Sequence, residues 1–305
     1  MTFCSIVVPT VARSTLQRTV CSLLGQSVAR SAYEIIVVND SGQPLPDAPW
    51  LHESPVTVLD TDRVDRCVAR NAGVARASGK YLSFVDDDDW LLPNALAAFQ
   101  RLADESAAVW LYGGARLMHD ETECAAELNL RKTGNCFAQV MAGEWIPLQA
   151  SLVDRQTFLR HGGFHPRLLA TQDLDLARRF ALRYDFANTA EPVACILRGP
   201  RWQTTTDYAR NPFFNAIGRE WLLAEPAALP RMMSSAGNSY WRGRVLRVYL
   251  AAALRSLKGS HLGDALRNLA HALTLVGFVA TSATQSAFWR ALFKHHVSGA
   301  AYSAV

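Results

Sequence analysis

The sequence lacks several features that define well-known protein classes. Its six cysteines form no CxxC pair and no Cys/His cluster, so we expect buried free thiols in a reducing compartment such as the cytoplasm. The longest clean apolar run of the C-terminal part, residues 275–280, is far below the roughly 18 residues that span a bilayer. The N-terminus has no basic segment followed by an apolar one, so we expect no signal peptide.

Composition and charge bound the class of protein. Half of the 305 residues are hydrophobic and 19% are charged, which is typical of a globular chain with a sizeable core. The net charge of +4 is too small to indicate a nucleic-acid partner by itself.

The central stretch has five residues suited to a buried strand, 81–85, followed directly by four aspartates. If the strand stays extended, Asp86 and Asp88 point one way and Asp87 and Asp89 the other. Four adjacent carboxylates need either full solvation or a bound divalent cation, and Mg²⁺ and Mn²⁺ both favour oxygen ligands. A solvated acidic loop and a metal site are therefore the two alternatives.

Short apolar runs alternate with helical patterns along the first half of the chain. We predict strands at residues 4–8, 33–38, 56–59, 81–85 and 109–112, with helices at 16–24 and 65–77. This alternation is typical of a mostly parallel, doubly wound α/β sheet. The carboxyl ends of its strands would bring Pro9, Thr10, Asp40 and Asp86 to one edge, where ligands of such sheets bind.

The pattern changes after about residue 210, which predicts a sheet domain at 1–210 and a helical extension at 211–305. Two apolar stripes on either side of Gly259 indicate a helical hairpin. The extension is basic, with Trp and Phe between its cations. It could lie on an anionic membrane surface, or pack on the sheet domain as a lid with a solvated basic face.

Several segments occur in a distinctive order and spacing. They are residues 5–10 (SIVVPT), 34–41 (EIIVVNDS), 69–73 (ARNAG), 79–90 (GKYLSFVDDDDW), 162–164 (GGF) and 172–176 (QDLDL). Together they closely resemble the family-two inverting glycosyltransferases of GT-A fold, over about residues 3–205. The resemblance implies a nucleotide-sugar donor, by default a UDP-sugar, and Mn²⁺ or Mg²⁺. It also implies a saccharide or lipid-linked acceptor, by default in synthesis of bacterial envelope polysaccharide.

The resemblance assigns roles to individual residues on the donor side. Pro9 and Thr10 would line the nucleotide pocket, and Asp40 would contact the base or ribose. Arg70 and Asn71 match the segment over the nucleotide-binding crevice.

Further roles fall on the acidic run and on the second half of the chain. Asp86 and Asp88 match the DxD motif, with Asp86 and Asp87 in the nucleotide-sugar site and Asp88 on the metal that bridges the diphosphate. Asp173 matches the catalytic base. Asp173 and Asp175 also precede a helical stripe, so helix capping by itself would explain this pair.

Two positions depart from the family pattern. Gln172 stands where the family usually has Glu, which removes one charge beside the base. Gln203 stands where the family often has a histidine near the diphosphate, and residues 204–206 are threonines that could donate hydrogen bonds to phosphate.

The residues also favour sugar transfer on chemical grounds. Asp88 could hold a Lewis acid for the leaving diphosphate, and Asp173 could accept the proton of the attacking hydroxyl, which predicts one displacement with inversion. Glycoside hydrolysis by two carboxylates would not explain a metal beside a nucleotide pocket. A nucleotidyltransferase usually has a glycine-rich first loop, and residues 10–14 contain no glycine. The non-enzyme alternative is a binding or scaffold protein that contacts partners through its helical extension.

Overall fold

A computed structural model describes residues 2–62, 65–129, 131–168, 170–198 and 211–293. In these ranges the strands are β1 (Cys4–Thr10), β2 (Tyr33–Asn39), β3 (Val56–Asp60), β4 (Tyr81–Phe84), β5 (Trp90–Leu91), β6 (Trp110–Met118), β7 (Cys124–Leu128), β8 (Ser151–Asp154) and β9 (Phe186–Leu197). The helices are α1 (Leu16–Leu24), α2 (Arg66–Arg76), α3 (Ala95–Glu105), α4 (Phe137–Met141), α5 (Arg155–Arg160), α6 (Gln172–Arg183), α7 (Asn211–Leu223), α8 (Ala228–Ser235), α9 (Ser239–Lys258), α10 (Leu262–Thr274), α11 (Val276–Ser282) and α12 (Ser286–Phe293).

The strands form one sheet in the order β3-β2-β1-β4-β8-β6-β9-β5, with β7 on β6. The half from β3 to β4 is parallel throughout. In the other half β9 runs parallel to β6, whereas β5, β7 and β8 pair antiparallel with their neighbours. The predicted α/β sheet flanked by helices is confirmed. The antiparallel strands β5, β7 and β8 were not among the strands predicted from the sequence.

Side chains of the central strands alternate between two hydrophobic cores, one on each face of the sheet. On β1, Val7 packs into the core that contains residues of α2 and α6, whereas Ile6 and Val8 pack into the core beneath α1 and α3. Both faces of a parallel sheet are then covered, which explains the near-continuous apolar runs of its strands. All six cysteines are free and four of them are buried.

Most local predictions in the first half match the structure. Residues 16–24 form α1, and the side chain of Asp65 caps α2 by accepting the Cys67 N–H at 2.7 Å. The strand expected at residues 109–112 is longer and continues to Met118 as β6.

The C-terminal helices pack on the sheet domain. Buried residues of α8 and α9, among them Met232, Val245 and Tyr249, belong to the same core cluster as Val7 of β1. The predicted hairpin consists of α9 and α10 joined at Gly259. The predicted boundary at residue 210 lies outside the described residues and stays a prediction. Within the described ranges, no helix combines the length and the apolar character needed to cross a membrane.

Gly73 shows how closely α2 packs on the sheet. A Cβ atom at this position would lie 2.5 Å from Val7 Cγ1 and 3.0 Å from Val38 Cγ2. We expect Gly73→Ala to lower the free energy of unfolding by about 1–3 kcal/mol, because it overpacks the contact between α2 and the sheet. Urea denaturation measures this change.

Gly263→Ala is the matched control, since a Cβ there would meet nothing within 4 Å. This exposed helical position should be neutral or slightly stabilised by alanine. Equal destabilisation by the two substitutions would contradict the packing argument.

Candidate active site

The four aspartates after β4 form a turn, because the Asp89 N–H donates to the Asp86 carbonyl at 3.0 Å. The extended geometry considered for this run is therefore wrong. The four side chains nevertheless still divide into a partly exposed pair and a buried pair. The side chains of Asp86 and Asp88 are each 33% exposed, whereas Asp87 and Asp89 are buried.

Asp86 is stabilised in its charged form. Its Oδ1 accepts a hydrogen bond from the guanidinium of Arg70, and its Oδ2 accepts one from the Gln149 amide at 3.0 Å. Burial alone would raise the pKa of Asp86, but the positive charge of Arg70 outweighs burial and holds this pKa below its ordinary value. Arg70 is itself buried, and its guanidinium carbon lies 5.4 Å from the ring centroid of Phe164.

Arg13 contacts the next two carboxylates. Its Nη1 lies 2.7 Å from Asp88 Oδ2 and 3.3 Å from Asp87 Oδ1. Asp87 also accepts a hydrogen bond from the Thr10 hydroxyl at 2.6 Å. Burial raises the pKa of both Asp87 and Asp88, and the charge of Arg13 opposes that rise. Arg13 therefore favours the ionised form of both acids.

Asp89 attaches the acidic turn to the surrounding elements. Its carboxylate accepts the Leu197 N–H at 2.8 Å, and its carbonyl accepts the Thr19 hydroxyl at 2.6 Å. Burial and the neighbouring charge of Asp86 raise the pKa of Asp89 well above its ordinary value. These contacts fix the turn against β9 on one side and α1 on the other.

The residues predicted to bind the nucleotide lie at the same sheet edge. Pro9 and Thr10 end β1, and Asp40 follows β2 directly. The Asp40 N–H donates to the Thr10 carbonyl at 2.8 Å, and the Asp40 carboxylate accepts the Thr61 hydroxyl at 2.8 Å. The hydrogen bond from Thr10 to Asp87 then connects this group to the acidic turn.

Asn71 ties α2 to the loop after α5. Its Nδ2 donates to the Phe164 carbonyl at 2.9 Å, and its Oδ1 accepts the Phe164 N–H at 3.0 Å. Gly163 has a φ of +64°, and a Cβ there would lie 2.7 Å from Asn71 Oδ1, so both the conformation and the close approach require glycine. In this structure Asn71 holds the wall of the crevice next to Arg70.

Asp173 lies in the first turn of α6 and carries a hydrogen bond from a tryptophan. Its Oδ2 accepts the indole N–H of Trp145 at 3.0 Å, and the guanidinium carbon of Arg198 lies 4.6 Å from the Trp145 ring centroid. Burial lowers the pKa of Arg70, whereas the charges of Asp86 and, more weakly, Asp173 raise it. The positive charge of Arg70 therefore interacts with both of the carboxylates predicted to act on the substrates.

One short segment, residues 145–149, contacts both halves of the site. Trp145 at its start binds Asp173, and Gln149 at its end binds Asp86. The segment holds the two carboxylates in one crevice from a common side.

Asp175, the second carboxylate of α6, makes contacts that stabilise the fold. Asp175 is buried and accepts from Arg179 Nε at 2.8 Å. Arg179 also donates to the carbonyls of His161, at 2.9 Å, and Gly163, at 2.6 Å. Gln172 is buried beside this pair, and its Nε2 has no hydrogen-bond partner in the part of the chain that the structure describes.

The acidic turn offers oxygen ligands that suit a hard divalent cation such as Mg²⁺ or Mn²⁺. Asp86 and Asp88 present partly exposed carboxylate oxygens, which are the ligands that Mg²⁺ and Mn²⁺ prefer. Across residues 2–293, apart from the stretches left undescribed, no group of three or more His, Cys, Asp or Glu is placed to hold a metal. In proteins, one or two carboxylates often hold Mg²⁺ while phosphates and water complete its coordination.

The first part of the chain, which contains the acidic turn, is similar to a known protein family. A family model described as "Glycosyl transferase family 2" matches residues 5–123, the range from β1 through the acidic turn to β6. Residues 5–123 are thus similar to glycosyl transferase family 2. Asp173 and residues 145–149 lie beyond the matched range.

Two curated glycosyltransferases are similar to parts of this chain. Uncharacterized glycosyltransferase YwdF of Bacillus subtilis (strain 168) is 43% identical over 63 residues, which is 20% of this chain and 24% of that protein. Uncharacterized glycosyltransferase YibD of Escherichia coli (strain K12) is 28% identical over 140 residues, which is 45% of this chain and 37% of that protein. The chain thus matches well under half the length of these relatives.

Solved structures extend the likeness of fold over most of the chain. S. aureus TarS 1-349 in complex with UDP-GlcNAc superposes with a TM-score of 0.62 over 87% of this chain and 89% of that one, at 13% identity. A longer TarS structure gives a TM-score of 0.58 over 86% of this chain and 54% of that one, also at 13% identity. The fold is GT-A, as the resemblance implied.

Several residues of this site are absent from the sequence-based predictions. Arg13 lies three residues after β1, and this position was a usable signal. The indole N–H of Trp145 donates to Asp173, a contact that no local pattern predicts. Gln149 and Arg198 gave no local signal. Gln203 and the threonines at 204–206 lie outside the described residues.

Glu144 is a buried carboxylate directly before Trp145. Burial raises the pKa of Glu144 to about 8, although the charge of Arg244 lowers it. Arg244 is also buried and donates to the Ala142 carbonyl at 2.6 Å. Glu144 is therefore neutral in the folded protein up to about pH 8.

Replacing Glu144 should change how stability depends on pH. The folded-state pKa of about 8 exceeds the ordinary value of 4.5, so the folded state binds this proton more tightly. Between these values the wild-type free energy of unfolding falls as pH rises. Glu144→Gln cannot ionise, so from about pH 6 to about pH 8.5 it should lose on the order of 2 kcal/mol less stability than wild type.

Urea unfolding at the two pH values measures this difference. Glu105→Gln, at the exposed end of α3, is the control and should follow wild type. If the free energy of unfolding changed with pH equally in wild type and in Glu144→Gln, Glu144 would not have the raised pKa.

Proposed function

We propose that the chain is a metal-dependent, inverting hexosyltransferase. It would move a sugar from a nucleotide-diphosphate sugar, with a UDP-sugar as first candidate, to a hydroxyl of a saccharide or lipid-linked acceptor. The observation that supports this most directly is the segment 145–149, which contacts both Asp86 and Asp173 and so joins a donor-side carboxylate to a base. The likeness to TarS, solved with UDP-GlcNAc, supports testing UDP-sugars first.

The donor would bind at the edge formed by β1, β2 and the acidic turn. In this proposal Pro9, Thr10 and Asp40 line the nucleotide pocket and Asp86 faces the ribose. Asp87 contributes by holding Thr10, to which it is bonded at 2.6 Å.

The leaving diphosphate would lie at Asp88. A divalent cation held by Asp88, with Asp86 nearby, would supply a Lewis acid for the developing charge. Arg13, which is paired with Asp88, and the buried Arg70, which is paired with Asp86, are cations beside this position. Asn71 would keep Arg70 in place through its two bonds to Phe164.

Asp173 would act as the general base on the acceptor hydroxyl. The hydrogen bond from Trp145 fixes Oδ2, so we assign Oδ1 as the oxygen that takes the proton. Attack from the side of Asp173, opposite the diphosphate, gives inversion in a single displacement. Holding both substrates in this crevice makes the reaction effectively unimolecular. By resemblance, the acceptor belongs to envelope polysaccharide synthesis at the cytoplasmic side of a membrane.

Nucleotide binding tests the donor half of the proposal. We expect one of UDP, GDP and dTDP to bind wild type in isothermal calorimetry, with affinity that rises when Mn²⁺ is added. Asp88→Asn should weaken the metal-dependent part by at least about tenfold, because it removes a charged ligand. Asp104→Asn, an exposed aspartate on α3, is the matched control and should bind as wild type. Absence of binding by every nucleotide would leave the acidic turn as a solvated loop.

The release of UDP from a UDP-sugar, measured with and without acceptor saccharides, tests whether Asp173 is the general base. Asp173→Asn should slow transfer by about 10²–10⁴-fold while nucleotide affinity stays unchanged, since a general base acts in the transition state. Trp145→Phe keeps a ring for Arg198 and removes the N–H, so a smaller loss of about tenfold is expected.

Trp221→Phe, a half-exposed tryptophan on α7, is the control for the second substitution. Transfer by Asp173→Asn at the wild-type rate would remove the base assignment. Nucleotide binding with no transfer by wild type would instead favour the non-catalytic binding protein.

A further inference from the structure

Helix α10 exposes an unbroken leucine face. Leu262, Leu266, Leu269 and Leu273 recur at helical spacing, and they are 61%, 58%, 37% and 69% exposed. The adjacent face of α10, with Ala265, Asn268 and Ala272, is buried, and α10 packs on α9. The small residues therefore face the protein and the large apolar ones face outward, which reverses the usual order of a surface helix.

Other large apolar side chains of the C-terminal helices are exposed as well. Leu254 and Leu257 are exposed near the end of α9, where the chain turns into α10. On α12, Trp289 and Phe293 are exposed and their rings stack at 5.9 Å. We call these residues and the four leucines of α10 the apolar face. The stripe of four exposed leucines marks an interaction site, since scattered surface leucines would not follow one helix.

The charge around the apolar face is mainly positive, although Arg267 Nη1 is paired with Asp264 Oδ1 at 3.0 Å. Residues 239–305 contain eight Lys and Arg and a single acidic residue, Asp264. The whole chain has 31 Lys and Arg and 27 Asp and Glu, so the rest of the chain is net negative. Lys258, Arg267 and Arg290 are exposed on α9, α10 and α12. The partner of this surface should therefore be apolar and anionic together.

The positive charge of this surface distinguishes between the partners that could cover an apolar helix face. A second copy would bring two surfaces of equal positive charge into contact, because a twofold interface pairs each patch with itself. An anionic bilayer offers an apolar interior to the leucines and negative headgroups to the cations. Tryptophan and phenylalanine beside the leucines are typical of helices that lie in the interface.

We infer that the apolar face docks this chain on the surface of an anionic lipid bilayer, with α10 in the plane of the headgroups. The inference does not rest on the proposed transfer reaction, because docking needs neither donor nor turnover.

Vesicle flotation with the full chain tests the docking surface. We expect binding to phosphatidylcholine vesicles that contain phosphatidylglycerol, and weak binding to vesicles of phosphatidylcholine alone. The double substitution Leu266→Ser and Leu273→Ser should lower the partition coefficient by at least about tenfold, because it removes two large apolar side chains. Lys258→Gln with Arg267→Gln should lower it by about fivefold per charge at low salt, and less at high salt.

Leu159→Ser is the matched control, since Leu159 is a half-exposed leucine on α5 outside the apolar face. Circular dichroism melting should show that all variants fold, as each change is at the surface. Equal vesicle binding by the double leucine variant and wild type would overturn the inference, as would no binding to anionic vesicles. A wild-type dimer in light scattering that the leucine substitutions dissociate would assign the surface to a second copy instead.

Discussion

Four carboxylates in succession at the end of β4 are the constraint on which the site depends. The fold compensates each of them from a different part of the chain. Arg70 on α2 compensates Asp86, and Arg13 after β1 pairs with the next two. The fourth accepts a backbone N–H of β9. The elements that meet at this turn are those that line the crevice, so charge compensation and site assembly are achieved by the same contacts.

The surroundings of Asp173 keep other negative charge away from it. The residue before it is the neutral Gln172, and Glu144, beside Trp145, is neutral up to about pH 8 because burial raises its pKa. Asp175, two residues further along α6, is paired with Arg179. A carboxylate next to neutral and cationic groups suits a role in which it must approach a substrate that carries a diphosphate.

The sequence predicted features set by neighbours in the chain, and it missed features set by distant contacts. The helix at 16–24, the Asp65 cap and the strand before the acidic run follow from local pattern. Trp145 and Gln149 could not be assigned, because their partners lie 28 and 63 residues away. Arg13 looked like a solvated cation until β1 and β4 were paired. The antiparallel strands were hidden for the same reason, since their register is set by tertiary contact.

The loop 161–165 is fastened to two helices at once. Asn71 of α2 holds Phe164 through two hydrogen bonds, and Arg179 of α6 holds the carbonyls of His161 and Gly163. The loop therefore connects α2, which carries Arg70, to α6, which carries Asp173. A substitution at Asn71 would remove one of these two attachments, so a change in α2 can reach α6 through the loop.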